Sequence, residues 1–153
     1  MTSIKPCLWF DNRIDDAIEF YTTTFKNAKV TNINRSAPDQ PAFTAEFELE
    51  GQKFMALNGG PQFKFNEAVS FFVTCADQAE VDYFWNAMTA NGGEESQCGW
   101  LKDKFGLSWQ IIPKQLFETL GGPDAAGRER AMQAMLKMRK LIVADLQKAY
   151  AGS

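Results

Sequence analysis

The chain repeats itself at about half its length. A shift of 63 residues lays AIEFYTTTF (17–25) on EVDYFWNAM (80–88), pairing Ile18 with Val81, Glu19 with Asp82, Phe20 with Tyr83 and Tyr21 with Phe84. A shift of 55 lays GQKFMAL (51–57) on GLSWQII (106–112), pairing Gly51 with Gly106, Phe54 with Trp109 and Met55 with Gln110. Both matches occur in the same order along the chain. Two copies of a strand–helix–strands unit explain them, and 153 residues hold two such copies plus a tail.

Local signals fill in each copy. IKPCLWF (4–10) is a short apolar run suited to a buried strand. Asn12 with Asp15 resembles a capping box, and Ile14, Ala17, Ile18, Tyr21 and Phe25 follow at helical spacing. Residues 28–36 alternate in polarity, as do residues 43–50, where Phe43, Ala45, Phe47 and Leu49 share one side. Gly51-Gln52 then turns tightly into 53–57, the pattern of a β-hairpin. NGGPQFKFNEA (58–68) reads as a loop. The second copy opens with a strand over 68–75. Asp77 and Glu80 cap a helix over 78–91 that ends at Asn91-Gly92-Gly93; a segment around 94–103 and a strand over 107–113 follow. The tail is rich in helix, with Met135, Met138, Ile142, Leu146 and Ala149 as a stripe and a break expected near Leu141-Ile142-Val143. The expected organisation is one domain over 1–153, with module one at 1–60, module two at 68–113 and a helical tail at 114–153.

Composition narrows the function classes. A hydrophobic share of 45%, with 13 Phe and 4 Trp, favours a packed globule over disorder. A formal charge of −3 gives no support for nucleic-acid binding, and Glu129 interrupts the basic group Arg128, Arg130, Lys137, Arg139 and Lys140, which reads as a solvated helix face. The N-terminus lacks a leader pattern and no run approaches membrane-spanning length, so a cytoplasmic protein with no membrane contact is expected. Cys7, Cys75 and Cys98 lack CxxC spacing and read as reduced thiols. The chain has no histidine. The commonest general base, the commonest metal ligand and every His-dependent dyad or triad are thereby removed.

The blocks IKPCLWFDNRIDDAIEFY (4–21), VSFFVTCAD (69–77), WLKDKFGLSWQIIP (100–113) and AMQAMLKMRKL (131–141) resemble the PhnB-like family, often labelled "3-demethylubiquinone-9 3-methyltransferase". That family falls within the vicinal oxygen chelate superfamily of glyoxalase I, extradiol dioxygenases and bleomycin-resistance proteins. The resemblance implies an α+β fold. Two tandem βαβββ modules form a curled, mostly antiparallel sheet cup, with helices outside and a helical C-terminal tail. It also implies metal-ligand places near Pro6, Met55, Ser70 and Gln110, where this chain has no histidine or carboxylate. Zn²⁺, Ni²⁺ or Mn²⁺ needs imidazole, carboxylate or thiolate donors, so no metal and no cofactor are expected. NGGPQ, NGGEES and LGGPDAAG lack the strand–helix context of a nucleotide-binding turn and read as loop and cap glycines.

Strand alternation assigns faces. With Gln110 facing a pocket, Ser108 and Ile112 join it, as do Met55 and Leu57, Ser70, Phe72 and Thr74, and Pro6, Leu8 and Phe10. Trp9, Phe54, Phe71 and Trp109 are expected to pack beneath the helices. The candidate pocket residues are Phe10, Met55, Ser70, Phe72, Trp100, Ser108 and Gln110, an apolar and aromatic lining with a few neutral polar groups. Asp103 is expected to shape the turn before Gly106. No residue stands out as catalytic. Three readings remain open: a metal-free binder of a small hydrophobic or aromatic molecule, an enzyme of the same fold with atypical groups, and a structural or regulatory dimer with a vestigial pocket. A homodimer is expected, with Met132, Met135 and Met138 offering apolar surface.

Overall fold

The computed structural model describes residues 1–153 and divides into two compact units, Met1–Phe65 and Asn66–Ser153. The first contains β1 (Cys7–Phe10), α1 (Ile14–Thr24), β2 (Ala28–Arg35), β3 (Ala42–Leu49) and β4 (Gln52–Asn58), in sheet order β1-β4-β3-β2. The second contains β5 (Ser70–Cys75), α2 (Gln78–Thr89), β6 (Glu94–Glu95), β7 (Trp100–Lys102) and β8 (Ser108–Pro113), in sheet order β5-β8-β7-β6. The tail helices α3 (Gln115–Leu120), α4 (Ala125–Leu136) and α5 (Val143–Ala151) belong to this second unit. β1 pairs parallel with β4 and β5 pairs parallel with β8, and the other pairs are antiparallel. The duplicated βαβββ unit is thus present twice.

In the first unit the hydrophobic face of α1 packs on one face of the sheet. Ile14, Ala17, Ile18 and Tyr21 are buried, and Tyr21 stacks on Phe47, which stacks on Phe54. The hairpin between β3 and β4 turns through Glu50 and Gly51, both with positive φ (49° and 84°), the pair a type I′ turn requires. The start of α1 differs from expectation. Asn12 adopts a positive φ of 55° and caps nothing; the backbone N–H groups of Arg13 and Ile14 donate instead to Asn58 Oδ1 at the end of β4. Asp15 turns away to accept from Arg35 Nη2 (2.5 Å) and Ala42 N (3.0 Å). Phe43 also departs from its expected face. A register shift between Asn34 and Arg35 puts Ala42 in the core and leaves Phe43 63% exposed.

In the second unit α2 buries Val81, Phe84, Trp85 and Met88, and the sheet face bearing Leu101, Trp109 and Ile111 is buried. Asp77 caps this helix as expected, its Oδ1 accepting from Glu80 N at 2.9 Å. The tail breaks over residues 137–142, and α5 begins at Val143. Leu141 and Leu146 close over Ile112 and Leu116, with Met135 and Met138 packed against them. Gln78 clamps the break: its Nε2 donates to Leu141 O (3.0 Å) and its Oε1 accepts from Val143 N (2.7 Å). Four of the five basic tail residues also act within the fold. Arg128 donates to Gly122 O, Arg130 donates to Ala149 O and Tyr150 O at the C-terminal end of α5, Arg139 pairs with Glu95 at 3.6 Å and Lys140 pairs with Asp82 at 2.8 Å. No helix is long and apolar enough to cross a membrane.

Candidate functional site

Register decides which side chains share a face, because residues directly opposite across strands point the same way. Phe72 on β5, Gln110 on β8 and Trp100 on β7 are successive partners, and Ser70, Ser108 and Lys102 form the neighbouring row. Five expected pocket residues, Ser70, Phe72, Trp100, Ser108 and Gln110, therefore lie together on one face of the second sheet, opposite the face that carries Trp109. Phe72 is 49% exposed, while Ser70, Trp100 and Gln110 are half-buried. Gln110 Nε2 donates to Ser70 Oγ at 3.0 Å. Ser108 is 1% exposed, and its hydroxyl has no hydrogen-bond partner.

Sequence reading missed two features of this face. Lys102, two residues after Trp100 on β7, belongs to it and forms an ion pair with Glu67; the same period-two alternation that selected Trp100 could have found it. That pairing lowers the Glu67 carboxyl below its usual range and raises Lys102, in each case chiefly through their mutual hydrogen bond. Ile112 was expected to open on the pocket. It is instead 2% exposed beneath Leu116, Leu141 and Leu146, so the tail covers that end of the face, and the tilted rings of Phe117 and Phe72 meet at 6.0 Å.

The first unit reverses the expected faces of β1. Cys7 pairs with Met55 and Trp9 with Leu57, whereas Leu8 and Phe10 pair with Ala56 and Asn58. Phe10 is thus on the buried side, 3% exposed, with its ring edge on Phe65 at 5.3 Å; it does not share a face with Met55. Trp9 takes the open side. Its indole N–H donates to Gly60 O (2.9 Å), and its ring lies so close to Gly59 that a Cβ there would approach within 2.3 Å. The glycine pair of NGGPQ seats this indole. Met55 is half-buried beside Glu46, its partner on β3. The face is not the neutral lining expected. Lys5 bonds Glu46 at 2.5 Å, Lys29 bonds Glu48 at 3.2 Å, and these four with Thr31 and Lys53 line a cleft of about 350 Å³.

A family profile described as 3-demethylubiquinone-9 3-methyltransferase matches residues 2–112. The chain belongs to the 3-demethylubiquinone-9 3-methyltransferase family. The match ends at Ile112, just before the helical tail. Among solved structures, the PhnB protein of Bacillus cereus carries the same methyltransferase label. It is 28% identical, with a TM-score of 0.67 over 73% of this chain and 99% of its own. The fosfomycin resistance protein FosX of Listeria monocytogenes, solved with Mn(II) and sulfate, is 16% identical with a TM-score of 0.51 over 71% of this chain and 88% of its own. A glyoxalase/bleomycin resistance protein/dioxygenase domain from Frankia sp. EAN1pec is 12% identical, with a TM-score of 0.50 over 74% and 92%. The fold is that of the glyoxalase/bleomycin-resistance group. No curated protein matches the chain.

The donor set of this family member does not fit a divalent cation. Pro6 offers only its backbone carbonyl, which accepts from Met55 N at 2.8 Å, and Cys7, which stands beside Met55 in its place, is a single exposed thiol; Ser70 and Gln110 are neutral and bonded to each other. Nowhere do three or more His, Cys, Asp or Glu side chains gather closely enough to hold a metal. Cys75 is fully buried, its thiol pushed up to about 12 by desolvation and by the nearby Glu80 and Asp77 charges. That thiol is inert at neutral pH. None of NGGPQ, NGGEES and LGGPDAAG stands between a strand and the N-terminus of a following helix as a nucleotide turn does: they follow β4, α2 and α3.

Proposed function

We propose that the protein binds a small hydrophobic or aromatic molecule, without a metal ion, on the open face of its second sheet. One observation carries this reading: Gln110 stands between Phe72 and Trp100 across three strands, held by Ser70, with free hydrogen-bonding capacity and no metal donor beside it. Aromatic flanks with one fixed amide suit a flat ligand oriented by a few hydrogen bonds. FosX is described as complexed with Mn(II); the Gln110–Ser70 pair of this chain is a neutral amide and hydroxyl. A cytoplasmic location belongs to the same proposal and is supported by three unpaired thiols.

Homodimer assembly is a further part of the reading. Met135 and Met138 are engaged within their own unit, which leaves Met132 (36% exposed) as the open methionine of the group. The exposed apolar side chains Val30, Ile33 and Phe43 on β2 and β3 offer a better contact surface, and light scattering with a Phe43→Glu variant tests it. The binding proposal is tested by a thermal-shift screen of hydrophobic and aromatic compounds on the wild type and on Gln110→Leu. Stabilisation of the wild type that falls in the variant supports it. No stabilisation by any compound, or stabilisation unchanged in Gln110→Leu, overturns it.

A further inference from the structure

We infer that the ligand is an aromatic carboxylate, with its ring against the Phe72–Gln110–Trp100 row and its anionic group at the Ser70–Ser108–Lys102 row. This rests on the binding proposal above and adds a ligand class to it. Neighbouring strands lie about 4.8 Å apart, so Phe72 and Trp100 stand roughly 10 Å apart with Gln110 between them. Side chains two residues apart on a strand are separated by about 7 Å, which sets the distance from the aromatic row to the polar row. A carboxylate oxygen about 3.6 Å from its ring centre, followed by a hydrogen bond of about 2.8 Å to the polar row, spans most of that distance.

Three groups in the polar row suit an anion. Gln110 commits one N–H to Ser70 Oγ, leaving the Ser70 O–H to donate elsewhere. Ser108, between Ser70 and Lys102 in the register, holds a buried hydroxyl with no partner. A buried hydroxyl without a partner is costly, so an acceptor arriving there has a specific gain to make. Lys102 supplies the cation. Its ammonium is held by Glu67, whose side chain is 59% exposed. The pair with exposed Glu67 contributes little, whereas a ligand carboxylate seated against the aromatic row meets the ammonium with less water around it, so the exchange favours the ligand. The hydroxyls and the aromatic contacts then favour the ligand. Glu67 acts as a resident competitor for Lys102.

The experiment uses the full chain and two probes of one shape, 1-naphthoate and the neutral 1-naphthamide, with binding read by saturation-transfer NMR and tryptophan quenching. Naphthoate is expected to bind the wild type at least tenfold more tightly than naphthamide. Lys102→Met should abolish that preference, and Lys102→Arg should retain most of it. Glu67→Gln should raise naphthoate affinity several-fold by freeing the ammonium. Equal binding of the two probes, or a preference that survives Lys102→Met, overturns the carboxylate assignment while leaving the aromatic site intact. Failure of both probes to bind, or binding that Gln110→Leu does not weaken, overturns the assignment together with the site beneath it. Far-UV circular dichroism of each variant separates loss of binding from loss of fold.

Discussion

Replacing Asp103 by alanine should cost the second unit about 4 kcal/mol. The carboxylate is 2% exposed. Its Oδ1 accepts from Phe105 N (2.9 Å) and Leu107 N (3.1 Å), and its Oδ2 accepts from the Trp109 indole N–H (2.9 Å). Of these donors, Phe105 N is half-buried and can turn to water, but Leu107 and Trp109 are 3% exposed. Each buried donor left unmade costs about 1–3 kcal/mol, which gives roughly 4 kcal/mol for two. For a chain of this size that is a fall of about 10 °C in Tm, readable by circular dichroism and by urea unfolding. Asp103→Asn sharpens the test. The amide keeps one oxygen for the two backbone donors but sets an NH₂ against the indole N–H, for a loss of about 2 kcal/mol. Trp109→Phe removes that opposed donor, so it should cost about 2 kcal/mol less in the Asp103→Asn background than in the wild type. An Asp103→Ala loss below about 1 kcal/mol, or an additive double-mutant cycle, would refute the reasoning.

Three further outcomes follow from other sites. The Cys75 thiol titrates at about 12 when folded against about 9 when unfolded, so the unfolded chain releases its proton first and stability falls as pH rises from 9 to 12. Roughly 4 kcal/mol is at stake, and alkaline unfolding curves should flatten in Cys75→Ala by that amount; an unchanged slope would contradict it. Gly59→Ala drives a Cβ into the Trp9 ring, and loss of the Trp9 N–H bond to Gly60 should appear in the indole NMR resonance together with a loss of about 1–3 kcal/mol. Gln78→Ala removes the clamp on Leu141 and Val143, so amide exchange over residues 141–151 should quicken selectively while α1 stays protected.

How far the sequence was readable depends on what kind of signal each residue carries. The duplication and the Asp77 cap were legible because spacing alone defines them, and the caps fix their own neighbours. The face of β8 was legible because one alternation runs without interruption through Ser108, Gln110 and Ile112. The face of β1 was not. Only four residues long, it has aromatic or aliphatic side chains on both sides, so only pairing with β4 could show that Cys7, not Pro6, stands beside Met55. Phe43 was misplaced by a bulge that composition does not announce, and Asn12 lost the capping role to Asn58, 46 positions further on in the sequence, as tertiary partners routinely displace local ones. At the candidate site, Lys102 lay in plain alternation, whereas the burial of Ile112 required knowing where the tail folds back.

The most direct measurement is a calorimetric titration of 1-naphthoate into protein stripped with EDTA, repeated after adding Mn²⁺. Binding with the same affinity in both samples, and without stoichiometric metal uptake, is the expected result for a site built on Gln110, Ser70 and their aromatic flanks. Binding that appears only with the metal would contradict it.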